Sequence, residues 1–122
     1  MINIVFYICF LFFVSSCANI MMPSGGEIDK TAPKVISISP ENNSLNFNSN
    51  EIVITFDEYV KINNLGSINF FPNIEPSPII KTAGKSVVVE LTEQLKNNTT
   101  YSINFNNSIV DLNESNSLNN LK

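Results

Sequence analysis

Few residues in this chain are of a type that does chemistry. Cys17 stands at the end of an apolar run, directly after Val14, Ser15 and Ser16. Small side chains at Ser15 and Ser16 let an extended backbone enter a peptidase cleft, and the Cys17 thiol is then placed to take a diacylglyceryl group. A second set, Asp57 and Glu58 with Asp111, Asn113 and Glu114, carries the oxygen ligands that calcium prefers. A third, Phe71 with Tyr59, offers exposed rings on which a sugar could stack. The chain contains no His and no Arg. The commonest general base, the commonest metal ligand and the usual phosphate clamp are therefore missing.

Each set has a plainer reading. Asp57 and Glu58 fit an exposed loop after a strand, and Asp111 and Asn113 fit turn caps that satisfy their own backbone. No EF-hand spacing orders them. Paired carboxylates for glycoside hydrolysis are weaker still, because nothing puts one acid in an apolar pocket and its partner in a polar one. For the rings, alternation turns Phe70 toward the core and leaves Phe71 and Tyr59 outside, in a chain without Trp. No cofactor is expected. A net charge of −4 repels nucleic acid and anionic lipid surfaces, so membrane residence would have to come from a lipid on Cys17.

The apolar run that precedes Cys17 is too short for a membrane helix, which needs about 20 apolar residues, and suits a cleaved leader. Cys9 would leave with it, so no intrachain disulfide and no thiolate zinc site remain. The chain divides into a leader (1–16), a tether (17–32) broken by Pro23, Ser24, Gly25 and Gly26, and a folded domain (33–122).

Within that domain short alternating runs are separated by turn residues, which predicts an all-β sandwich. Strands are expected at Val35 to Ser39, Glu51 to Phe56, around Ile68 and Phe70, at Ile79 to Lys81, Lys85 to Leu91 and Tyr101 to Phe105, with a turn at Thr82 to Gly84. The stretch Leu95 to Tyr101 predicts a tyrosine corner, in which the phenol hydroxyl bonds back to upstream backbone; the alternative is a core aromatic that merely opens a strand.

Two resemblances follow. The leader resembles a bacterial lipoprotein signal peptide whose lipobox is Val14-Ser15-Ser16-Cys17. It departs from the pattern in having Val where Leu is usual and no basic side chain before Lys30. The remainder is similar to the bacterial Ig-like domain first described in surface-layer proteins. That likeness rests on Thr31 to Val35, Ser39 to Asn42, Ile52 to Val60, Leu95 to Tyr101 and Asn107 to Leu118, with a Pro-x-Gly-Gly tether at Pro23 to Gly26.

The resemblance implies an Ig-like Greek-key β-sandwich in an outer-membrane lipoprotein of the cell envelope. The role it implies is a non-catalytic structural spacer; the alternative is a module that binds glycan or protein. An enzyme whose catalytic part lies elsewhere is a third reading. Ala18-Asn19-Ile20-Met21 lacks the acidic export signal of surface lipoproteins, which favours the periplasmic face. The six expected strands fall one short of a constant-type Ig sandwich. The expectation is therefore a C-terminally incomplete domain whose last edge is bare, or one completed by a strand donated from another chain.

Overall fold

The computed structural model describes residues 25–122. Ser16 and Cys17, and the first half of the 17–32 segment, lie outside the described residues.

The described residues are all-β, with eight strands and one short 3-10 turn. Strands β1 (Val35–Ser39), β2 (Glu51–Phe56), β5 (Ile79–Ala83) and β6 (Ser86–Glu90) form one antiparallel sheet in the order β1-β2-β6-β5. Strands β3 (Val60–Ile62) and β8 (Ile109–Asp111) make a second pair, and β4 (Asn69–Phe71) and β7 (Ser102–Asn104) a third.

The β2 and β6 runs alternate because a strand sends successive side chains to opposite faces. Ile54 and Phe56 on β2, with Val87 and Val89 on β6, turn inward and are buried. They meet Val60, Ile68, Phe105 and Ile109 from the other layer in one core cluster. Each such side chain withdrawn from water contributes about 1.5–3 kcal/mol.

β1 departs from simple alternation. Val35 pairs with Phe56 and Ser37 with Thr55, so Ile36 is an inserted residue with no partner of its own. The bulge sends Val35 and Ile38 toward the core and leaves Ile36 65% exposed.

The two short pairs of the second layer are one interrupted ribbon. Val60 lies opposite Asp111 and Ile62 opposite Ile109, and further along Asn69 lies opposite Asn104 and Phe71 opposite Ser102. The register slips where the 3-10 turn Leu65–Ser67 swells one side. Ser108 stitches the gap: its carbonyl accepts from the Asn63 N–H at 2.8 Å, and its hydroxyl donates to the Asn64 carbonyl at 2.8 Å. Ser108 is fully buried, and these bonds satisfy it.

β3 and β8 correct the sequence expectation of six strands, which has neither. Each is three residues long, too short to show a period of two by itself. β5 runs on through Thr82 and Ala83, and the hairpin turn falls one step later than expected, at Gly84 and Lys85. Gly84 takes φ +61°, a left-handed value that glycine adopts without strain.

The edge expected to be bare is partly covered. After β8 the chain turns through residues 112–116 and comes back antiparallel, with Ser117 opposite Val110 and Leu121 opposite Asn106. The Phe105 N–H donates to the Leu121 carbonyl at 3.0 Å, and the Leu118 N–H to the Ile109 carbonyl at 2.9 Å. Leu118 and Leu121 pack against the core cluster. Among the described residues β7 pairs only with β4.

Candidate functional site

The sequence-predicted acidic residues gather at one end of the sandwich. Asp57 follows β2, Glu58 lies between β2 and β3, and Asp111 closes β8 opposite Val60. Their oxygens are largely committed to the fold. Asp57 Oδ1 accepts from the Lys34 N–H at 2.7 Å, tying the start of β1 to the end of β2. Its carbonyl accepts from Lys85 Nζ at 2.7 Å, and that ammonium also sits 5.6 Å from the centroid of the Tyr59 ring.

Asp111 is only 2% exposed and uses both carboxylate oxygens on its own loop. Oδ1 accepts from the Glu114 N–H at 2.6 Å and the Ser115 N–H at 3.0 Å, and Oδ2 accepts from the Asn116 N–H at 2.7 Å. Burial alone would push this acid up, but these backbone donors outweigh it and hold the carboxyl below its ordinary value. Asn116 in turn donates from Nδ2 to the Asp29 carbonyl at 3.0 Å, which pins the segment ahead of β1 to the same loop.

Glu58 shifts the other way. Burial is the largest cause, and the charges of Asp111, Asp57, Asp29 and Glu114 add to it. One carboxyl raised beside one lowered is the pattern used for acid and base roles in catalysis. Here three backbone N–H groups engage both oxygens of the lowered member and favour its ionised form, so its geometry is that of a loop cap.

For calcium, Asn113 and Glu114 are exposed on the loop that Asp111 organises. Among the described residues no three acidic, His or Cys side chains converge in a way that could hold a metal ion. The capping role proposed for Asp111 is the one its geometry performs.

The two candidate rings are exposed, Phe71 at 58% and Tyr59 at 57%, but they do not form one platform. Tyr59 precedes β3 at the acidic end, where its carbonyl accepts from the Leu112 N–H at 2.9 Å, while Phe71 ends β4 at the far end of the ribbon opposite Ser102. Phe71 instead lines an open groove with Asn69, Asn73, Ser77, Pro78 and Ile79. Sequence reading had no signal for that groove, which forms only where β4 and β5 approach from different sheets.

The corner is present as well. Tyr101 Oη accepts a hydrogen bond from the Lys96 backbone N–H at 3.2 Å, across the turn that leads into β7.

This sandwich with its tyrosine corner agrees with the comparison against known families, in which a family described as bacterial Ig-like domain matches residues 29–122. The chain belongs to the bacterial Ig-like domain family. No curated protein and no solved structure matches it. Domains of this family are generally non-catalytic and occur in bacterial surface proteins, where they serve as structural or surface-binding modules. In the bacterial Ig-like domain described here, the acidic end ties β1, Asp29 and the loop after β8 together, and an open groove lies beside Phe71.

Proposed function

We propose that this bacterial Ig-like domain is a lipid-anchored, non-catalytic spacer of the cell envelope, resident on the periplasmic face of the outer membrane. In this reading Cys17 carries the lipid after cleavage behind Ser16, and residues 17–32 give reach. The twelve steps from Cys17 to Asp29 span at most about 40 Å when extended. More than one acyl chain is needed for stable anchoring, which a lipidated N-terminal cysteine normally supplies.

The observation that most supports a mechanical role is the joint at the acidic end. Asn116 grips the Asp29 carbonyl, Asp57 grips the start of β1, and Asp111 sets the loop that leads into the returning segment Ser117 to Leu121. Tension applied to the tether would be passed directly into the sheet. Acid groups that could serve catalysis are used for this purpose instead.

Labelling cells with radioactive palmitate tests the anchor. The wild-type chain should be labelled and Cys17→Ala should not; equal labelling of both would defeat the anchor. Membrane fractionation, followed by protease treatment of intact cells, tests the face: degradation without permeabilisation would move the domain to the outer surface.

A further inference from the structure

Between β4 and β5 an open groove of about 470 Å³ lies outside everything the spacer role requires. Its size is within the range of small-ligand sites. One wall is Phe71 and the other Pro78 and Ile79, with Leu65 at one rim. Phe71 is 58%, Leu65 58% and Ile79 48% exposed, so three large apolar side chains meet water side by side.

The polar side chains that line the groove are uncharged. Asn69 directs Nδ2 to the Ser67 carbonyl at 2.9 Å, and Asn73 directs Nδ2 to Glu75 Oε1 at 2.7 Å. Each amide spends one N–H on the protein and keeps its second N–H and its Oδ1, so it can both donate to and accept from a sugar hydroxyl. Ser77 adds a hydroxyl, and no charged side chain lines the groove although the chain carries a net charge of −4. The lining has no cation to hold an anionic ligand, and the neighbouring Glu75 carboxylate is engaged by Asn73.

We propose that this groove binds an uncharged glycan, one sugar ring stacked on Phe71 and its hydroxyls donated to Asn69 Oδ1 and Asn73 Oδ1. A sugar ring has an apolar C–H face for the aromatic wall and hydroxyl donors around its edge, which matches this alternation of surfaces. A peptide strand fits less well. Pro72 directly follows β4 and Pro78 directly precedes β5, so both flanks lack the backbone N–H that would extend a ladder. The proposal needs nothing of Cys17 and stands or falls separately from the lipid anchor.

The test uses the full chain in a polyoxyethylene detergent, which carries no sugar headgroup, titrated with chitotetraose and with maltotetraose. Calorimetry should show saturable binding of at least one sugar, and amide resonances should shift at Asn69, Phe71, Asn73 and Ser77. Phe71→Ala should weaken binding about tenfold, while Phe71→Tyr retains it. Tyr59→Ala, an equally exposed ring at the opposite end, should bind as wild type. The proposal is overturned if neither sugar saturates, if Phe71→Ala binds as tightly as wild type, or if the shifts fall outside the groove. It is also overturned if an apolar extended peptide moves those resonances and the sugars do not.

Discussion

Asp111 and Asn116 hold each other twice. The Asp111 backbone N–H donates to the Asn116 carbonyl at 3.1 Å, and the Asn116 N–H donates to Asp111 Oδ2 at 2.7 Å. This closed ring turns the chain out of β8 and aims Ser117 to Leu121 back along the same edge. It also places Asn116 where it holds Asp29.

Asp111→Asn should open that loop. The substitution puts an NH2 group where backbone donors already point, so at least one N–H loses its acceptor. The denaturation midpoint should fall, and amide protection at Glu114, Ser115 and Asn116 should be lost in hydrogen exchange while that of β2 and β6 persists. Unchanged protection in the loop would refute the account.

Acid stability should show two opposing contributions. Asp111 is lowered in the folded state, so its contribution is present above the ordinary value of 3.8 and is lost as pH falls through its folded value. Glu58 is raised, so the stability it supplies is present below the ordinary value of 4.5 and is lost as pH rises through its folded value. Glu58→Gln should therefore raise the melting temperature at neutral pH and flatten the profile on the neutral side, whereas Asp111→Asn should flatten the acid side. A Glu58→Gln variant that melts lower at pH 7 than wild type would contradict the sign.

Tyr101→Phe should cost about 1 kcal/mol, the net value of one hydrogen bond, since the ring is kept and only the acceptor for Lys96 N–H is removed. Urea denaturation should show a lower midpoint at constant slope. No change would mean that water satisfies the Lys96 N–H equally well.

Two apolar residues with similar sequence surroundings should behave very differently. Ile36→Thr lies on the bulge and should change stability by no more than about 0.5 kcal/mol. Phe56→Ala empties a fully buried position and should cost about 3–5 kcal/mol. Comparable losses at both positions would rule out the bulge.

Gly84→Ala should destabilise by about 1–2 kcal/mol, because a side chain at φ +61° is strained in a left-handed conformation. Space is not the obstacle: an added Cβ would meet Tyr59 Cε1 at an ordinary 3.6 Å. A substitution to Asn, which tolerates this region better, should lose less.

How much was legible in the sequence varied with the range of the interaction. Alternation along Ile52-Val53-Ile54-Thr55-Phe56 and Val87-Val88-Val89 identified β2, β6 and their inward faces, because the period of a strand is written in neighbouring residues. The corner at Tyr101 was legible for the same reason, its partner Lys96 being only a turn away. The β3 and β8 strands were not, since Val60 to Ile62 and Ile109 to Asp111 are strands by virtue of each other, across some fifty residues of chain. For the site, the sequence named Phe71 as exposed and Asp111 as a turn cap, but the groove and the grip on Asp29 needed distant elements brought together.

By itself the sequence determined the class of fold, the strands that show their period, the absence of His and Arg chemistry, and the position of Cys17 behind an apolar run. Only the tertiary structure decided that Ile36 faces water, that Ser117 to Leu121 covers the edge beyond β8, and that Asp111 is spent on its loop while Phe71 borders a groove. The reason is physical: facing and propensity are set by local geometry, whereas register, bulges and the satisfaction of buried polar groups depend on which distant backbone comes to lie alongside.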